Sequence, residues 1–440
     1  MYAVKKFLSV AVAVSLLATM AVGCGKQANS SSTGKTPQKL VWLTQGPGPD
    51  KSSWEVLTKP LLAEYNKKNN VNIVGEFYSF NDLFQVIQVK VASGSSNYDI
   101  LSVDGPMVAS YAYHNYIVPM DKYYTQSEKD EMASASVKSS SYNGKFYAPP
   151  MNTSSQVLYY NKDLLAKANV TVPDSDVTHR LNWDQVTSMA KKTLSAVDPK
   201  GNSAIAGIAF EQTNRTYQMC ALANSLGEKS ISDDGLSTKG IIDGAGWVKA
   251  LTWYQNLFKS GLALKGLTAD NTGNNFKSGK VIFEVGGTWN AVSYKAANVN
   301  FGYAPCPAFA GYEDKVATPT DSWHFGVIKA SKNQDEAAKF IKYMTIGQGN
   351  TAWLKANGDV PSTKAGFDAI NKDANASGVM KIAAYEADHT AVPRALTPGY
   401  SEYSNVMDQL WSDVANGANV ESAVKNASSQ IDSALAKYKK

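Results

Sequence analysis

The chain is poor in the residues that build metal and covalent-catalysis sites. Among 440 residues there are only three cysteines and four histidines. No C-x-x-C pair and no zinc-type spacing occurs, so a metal site is not expected. Cys220 falls in a helical pattern and Cys306 in a proline-flanked loop; two buried free thiols or one disulfide both fit the count. Neither G-x-S-x-G nor H-E-x-x-H is present, so no assembled nucleophile or acid–base signature speaks for an enzyme. Asp373, Asn375, Ser377 and Gly378 open like a calcium loop, but Ala384 stands where a bidentate glutamate is required. Nothing calls for a cofactor.

The excess of one charge over the other is small as well. The formal net charge is +5, and removing residues 1–23, with Lys5 and Lys6 and no acid, lowers it to +3. That excess is too small and too evenly spread to argue for nucleic acid. Long apolar runs are missing except at residues 7–22, and that stretch is short against the roughly 20 residues a bilayer span needs. Behind a lysine pair it reads as an export signal. Ala21, Val22, Gly23 and Cys24 follow it and resemble the lipobox of bacterial lipoproteins, which implies lipidation of Cys24 and an extracellular, membrane-anchored product of Gram-positive type. Residues 25–38 contain no large apolar group, so residues 24–38 are expected to form a flexible tether.

Beyond the tether the chain is rich in alternation. Residues 39–44 read as a buried strand, a helix is expected over 54–66, a second strand over 71–77, a helix over 81–92 and a third strand over 98–103. Strand alternating with helix indicates an α/β fold with a parallel sheet covered on both faces. Strands expected at 156–160, 204–210 and 280–285, with helices at 183–192 and 246–259, repeat the idea as a second lobe. Roughly 400 residues after the signal exceed what one core supports. Three apolar stripes at helical spacing close the chain: Ala337, Phe340, Ile341 and Met344; Tyr403, Val406, Met407, Leu410 and Val414; Val424, Ala427, Ile431 and Leu435. Asn333 and Glu336 have the spacing of a capping box before the first.

Loops leaving the carboxyl ends of parallel strands converge on a crevice, where ligands bind. Gln45, Tyr78, Phe80 and Asp104 stand just past such ends, and Glu211 holds an analogous position. The chain has nine tryptophans and twenty-three tyrosines, several of them in loops. Flat rings beside a few fixed hydrogen-bonding groups suit a sugar, which offers weakly polar C–H faces and a rim of hydroxyls. Trp289 directly follows a strand through Gly286 and Gly287, which let backbone approach a ligand closely. Trp323 and Trp54 are further platforms. Asp104 accepts hydroxyl hydrogen bonds strongly if ionised, Arg394 offers a rigid fork of donors with Tyr400 six residues on, and Asn152 lies at an expected crossover.

Several blocks, in order along the chain, carry a family resemblance: YDILSVDG and HNYIVPMDKY, SYNGKFYAPP, VLYYNKDLLAKANV with NWDQVTSMAKK, FKSGKVIFEVGGTWN, SWHFGVIKASKNQDEAAKFIKYM, and NGDVPSTK. Together they resemble the extracellular solute-binding proteins of family 1, the class that includes maltose-binding protein. The resemblance implies two hinged α/β lobes, residues 39–152 plus 322–365 and residues 153–321 plus 366–440, with a ligand cleft between them. It implies a monomeric receptor that passes a carbohydrate to the permease subunits of an ABC importer without altering it. Trp289 matches the family's Gly-x-Trp, whose indole commonly lies against the ligand. Trp323 and Asp104 match positions at the cleft. One departure, TVPDSDVTHRLNW, is expected to lengthen a surface loop. Two rivals share these features: a receptor for glycerol phosphate or a phosphodiester, which wants a second cation or a helix N-terminus in the cleft beside Arg394, and a secreted carbohydrate-active enzyme such as a glycosidase, which needs a pair of carboxylates at a defined separation.

Overall fold

The computed structural model describes residues 37–49, 51, 53–213, 215–269 and 271–439. The export signal and Cys24 lie outside them, as does all of the tether except Pro37 and Gln38. The architecture is carried by β1 (Gln38–Gln45), β2 (Val71–Tyr78), β3 (Ile100–Asp104), β4 (Gln156–Asn161), β5 (Ala206–Phe210), β6 (Val281–Gly287), β7 (Phe301–Pro305) and β8 (Trp323–Val327). They form two four-stranded sheets, ordered β8-β3-β1-β2 and β5-β6-β4-β7.

The expected parallel pairing holds for β1 with β2 and β3, and for β5 with β6. It fails for β8 against β3 and for β4 against β6 and β7, which are antiparallel. Both strands enter from segments that pass between the sheets, so they approach their neighbours from the opposite end. Those segments lie side by side: Thr153 Oγ1 is 2.6 Å from Thr320 Oγ1, and the Thr153 amide donates to Val360 O at 2.9 Å.

Helices pack where the stripes place them. In Gln334–Thr345, Ala337, Phe340, Ile341 and Met344 are buried, and Phe340 meets the Trp42 ring of β1. Tyr400–Ala415 buries Tyr403, Met407, Leu410 and Val414 against Val424, Ala427, Ile431 and Leu435 of Val420–Leu435. One core wraps the first sheet, a smaller one lies on the second, and a third reaches from Leu43 and Val103 to Phe283 and Met407.

Three details depart from the sequence reading. Asn333 takes the N-cap position but closes no capping box: its Oδ1, the atom that would accept from the first turn, accepts from Gln38 Nε2, and its amide donates to Asp99 Oδ1 at 3.0 Å. The helix expected over 81–92 is α-helical over Phe80–Val86 and π-helical over Ile87–Val91. The long surface loop carries a buried function: Arg180 donates to both carboxylate oxygens of buried Glu386, at 2.5 and 3.1 Å. Cys220 and Cys306 are buried free thiols, and burial pushes the Cys220 thiol up to about 12. Among the described residues no helix is long and apolar enough to cross a membrane, and no cluster of His, Cys, Asp or Glu has metal-site geometry.

Candidate functional site

The two sheets turn edges toward one another. Asp104 ends β3 opposite Trp323 at the start of β8, and Gln45 ends β1, so one edge gathers them. On the other sheet, Gly287 ends β6 opposite Gln156 at the start of β4, and Glu211 follows β5. Between these edges lies a cavity of about 370 Å³ lined by Gln45, Trp54, Phe80, Asp104, Asn152, Ser154, Gln212, Arg215, Tyr217, Trp289, Asp321, Ser322, Trp323, Asn357, Asp359 and Arg394. That volume falls within the range of small-molecule sites.

Aromatic rings form two walls. Trp323 meets Trp54 and Phe80 edge to face, with centroids 5.5 and 5.9 Å apart. Trp54 is mostly packed against Trp353, at 4.7 Å, and contributes only an edge to the cavity. Facing them, Trp289 is 39 % exposed and lies nearly parallel to Tyr217, centroids 6.4 Å apart. The Trp289 ring rests flat on Gly287, where a Cβ would come within 2.1 Å of the indole. The glycine is therefore obligatory for this placement.

The charged groups are largely spent on one another. Arg394 grips both oxygens of Asp104, its Nη1 at 2.9 Å from Oδ2 and its Nη2 on Oδ1. The guanidinium also lies 4.8 Å from the Tyr217 ring centroid. Its Nε is buried with no protein partner among the described residues. Arg215 lies over the Phe80 ring at 5.0 Å, a contact that reaches from the second wall to the first. With Asp104, Asp321 and Asp359 beside Arg215 and Arg394, the lining has no excess of positive charge.

Three nominated residues lie outside the lining. Tyr78 points along its strand face toward Glu76 and Lys90, donating to Glu76 at 2.9 Å and accepting from Lys90 at 2.7 Å. Tyr400 is buried at a helix start behind Arg394, and burial raises its pKa. Glu211 sits beneath the wall, accepting from Trp289 Nε1, Gly287 N and Gln218 Nε2, each at 2.9 Å. Asn152 reaches the cavity but its amide is engaged, donating to Asp359 at 2.5 Å and accepting from Trp323 N at 3.0 Å.

Other lining residues escaped the sequence reading. Ser154 donates to Asp321 O at 2.6 Å and so accepts from Tyr217 OH, also at 2.6 Å, tying a passing segment to the second wall. Asp321 has φ +95°, uncommon for a non-glycine residue, and its carboxylate accepts from Ser139 at 3.0 Å. Gln212 was missed by one position beside Glu211. Asn357 and Asp359 are the first and third residues of the NGDVPSTK block, which carries no expected site residue.

Comparison with known proteins places this geometry. The chain is 24 % identical over 415 residues to the maltodextrin-binding protein of Bacillus subtilis, covering 92 % of each. It is 27 % identical over 227 residues, about half of each chain, to the maltooligosaccharide ABC transporter solute-binding lipoprotein of Streptococcus pneumoniae. Its fold is similar to that of the GacH receptor of Streptomyces glaucescens, solved unliganded and with acarbose: TM-score 0.75, 20 % identity, 92 % of this chain and 100 % of that one. The family model for bacterial extracellular solute-binding proteins matches residues 61–378. The chain thus belongs to the bacterial extracellular solute-binding proteins, with their two-lobed α/β fold.

Proposed function

We propose that this protein is the receptor of an ABC importer, a monomer that captures a disaccharide or oligosaccharide and presents it unaltered to a membrane permease. The observation that carries the reading is the pair of facing aromatic walls, Trp323 with Phe80 and Trp54 against Trp289 with Tyr217, around a cavity of about 370 Å³. Aromatic faces cover the C–H faces of a pyranose, while Gln45, Gln212, Asn357 and Ser322 supply polar edges for hydroxyls. The names of the maltodextrin and maltooligosaccharide relatives support the same class.

The charge balance of the lining weighs against a glycerol phosphate. Arg215 does supply the second cation a phosphate wants beside Arg394, but Arg394 is matched by Asp104, and the lining sets three carboxylates, Asp104, Asp321 and Asp359, against the two guanidiniums. Tryptophan fluorescence titrated with maltose, maltotriose, lactose and glycerol phosphate tests this. Saturable change with a sugar alone is expected; a response confined to glycerol phosphate would overturn the reading.

The two lobes, residues 39–152 plus 322–365 and 153–321 plus 366–440, move as hinged halves. Ligand contacts made with both favour the closed form, a population shift. Residues 1–23 act as an export signal, Cys24 carries the lipid, and residues 24–38 tether the body to the outer face of the membrane, in the Gram-positive manner. The lipoprotein relative supports this arrangement. Metabolic labelling with palmitate should mark the wild type and not Cys24→Ala.

A further inference from the structure

We propose that Glu211 is a positioning residue that touches no ligand and sets the plane of the Trp289 indole. The proposal rests on the sugar-receptor reading for its affinity arm alone. Three N–H groups converge on the Glu211 carboxylate: the indole Nε1 on Oε1, and the Gly287 amide and Gln218 Nε2 on Oε2, each at 2.9 Å. An ionised carboxylate offers acceptors on both oxygens and no donor, so it alone among side chains of this length satisfies all three. Gln218 cannot turn away, because its Oε1 accepts from Gln212 N at 2.9 Å, which commits its NH₂ to Glu211. Gly287 is fixed in turn by Tyr159, whose hydroxyl donates to its carbonyl at 3.0 Å.

The indole is therefore held on two sides, by Gly287 beneath one face and by Glu211 at its N–H edge, leaving the remaining face to the cavity. A large side chain 39 % exposed would otherwise sample several rotamers. Fixing it beforehand removes the ordering cost from the binding step. Glutamine at this position would bring an NH₂ to a point where donors already aim. Moving the carboxylate one neighbour back, in Glu211→Gln with Gln218→Glu, gives the introduced amide an acceptor. The exchange keeps the buried charge and restores an oxygen for the indole, while the Gly287 amide stays without its partner.

The test is a double-mutant cycle with two readouts. Glu211→Gln and the exchange variant are made in the wild type and in a Trp289→Phe background. Folding is checked by circular dichroism, and affinity is measured calorimetrically for maltose, maltotriose and lactose. Emission and acrylamide quenching assigned to Trp289, by difference from Trp289→Phe, are recorded without ligand. Glu211→Gln should weaken binding about tenfold or more where Trp289 is present and less than about twofold where it is absent, since coupled residues are non-additive. Emission should shift to the red and quenching rise, with partial return in the exchange variant. An equal loss in both backgrounds, or unchanged emission, would overturn the proposal. So would failure of both variants to fold, which would make Glu211 a determinant of the fold. If no sugar binds the wild type, the receptor reading falls, and the unliganded emission still decides the role of Glu211.

Discussion

Asp104 and Arg394 stand 290 positions apart and meet as a two-pronged pair at the cavity. Both were legible as polar residues at strand-end or loop positions; their pairing was not, because nothing local to either residue encodes the other. Pairing changes what each can do: Asp104 keeps lone pairs for a hydroxyl, while Arg394, with one N–H of each Nη on Asp104, keeps its Nε, the second N–H of each Nη and a face against the Tyr217 ring. Removing one partner leaves a buried charge without compensation, so Asp104→Asn is expected to lower stability by about 3–5 kcal/mol. Adding Arg394→Met should recover most of that loss, as read by urea unfolding; a single variant as stable as wild type would contradict the pairing. Trp289 was legible from its two glycines, and the structure gives it the exposed platform those glycines allow. Trp289→Ala should weaken sugar binding by roughly 1–3 kcal/mol, the scale of a buried aromatic contact, with calorimetry as the check. Undiminished affinity would remove it from the site.

At the scale of elements, β6 leads directly into Trp289 of the second wall. Its run Val281–Gly287 is wholly buried and contains Glu284, whose Oε2 accepts from Tyr294 at 2.5 Å and whose Oε1 has no protein partner among the described residues. Burial, reinforced by the charge of nearby Glu211, raises the Glu284 pKa well above the carboxylate range. A carboxyl raised in the folded state contributes stability that is complete below its unfolded value of about 4.3 and is lost as pH rises toward the folded value. Glu284→Gln keeps the acceptor for Tyr294 and cannot ionise. Its melting temperature relative to wild type should therefore rise between about pH 5 and pH 8; a constant difference would contradict the assignment. The strands were legible from their apolar runs and the helices from their stripes. The antiparallel entry of β4 and β8 was not, since pairing direction depends on where the chain returns from. Nor was the burial of Arg180, because its partner Glu386 lies 206 positions away.

For the whole molecule, the order of the family blocks carried the fold, and two sheets facing across a cavity are what that order implies. The cavity floor was opaque to sequence reading because Ser154 and Asp321 come together only when separate segments pass side by side. If the halves hinge there, a saturating sugar should reduce the radius of gyration seen by small-angle scattering. No change in a protein shown to bind would argue for a rigid site. The central claim is that the two walls hold a sugar and leave it unaltered. Calorimetric titration of the protein lacking residues 1–24 with maltose, maltotriose and lactose, followed by chromatography of the recovered sugar, tests it most directly. Saturable binding of one molecule per chain, with the sugar recovered intact, is expected; no binding to any of them, or release of cleaved products, would overturn the receptor reading.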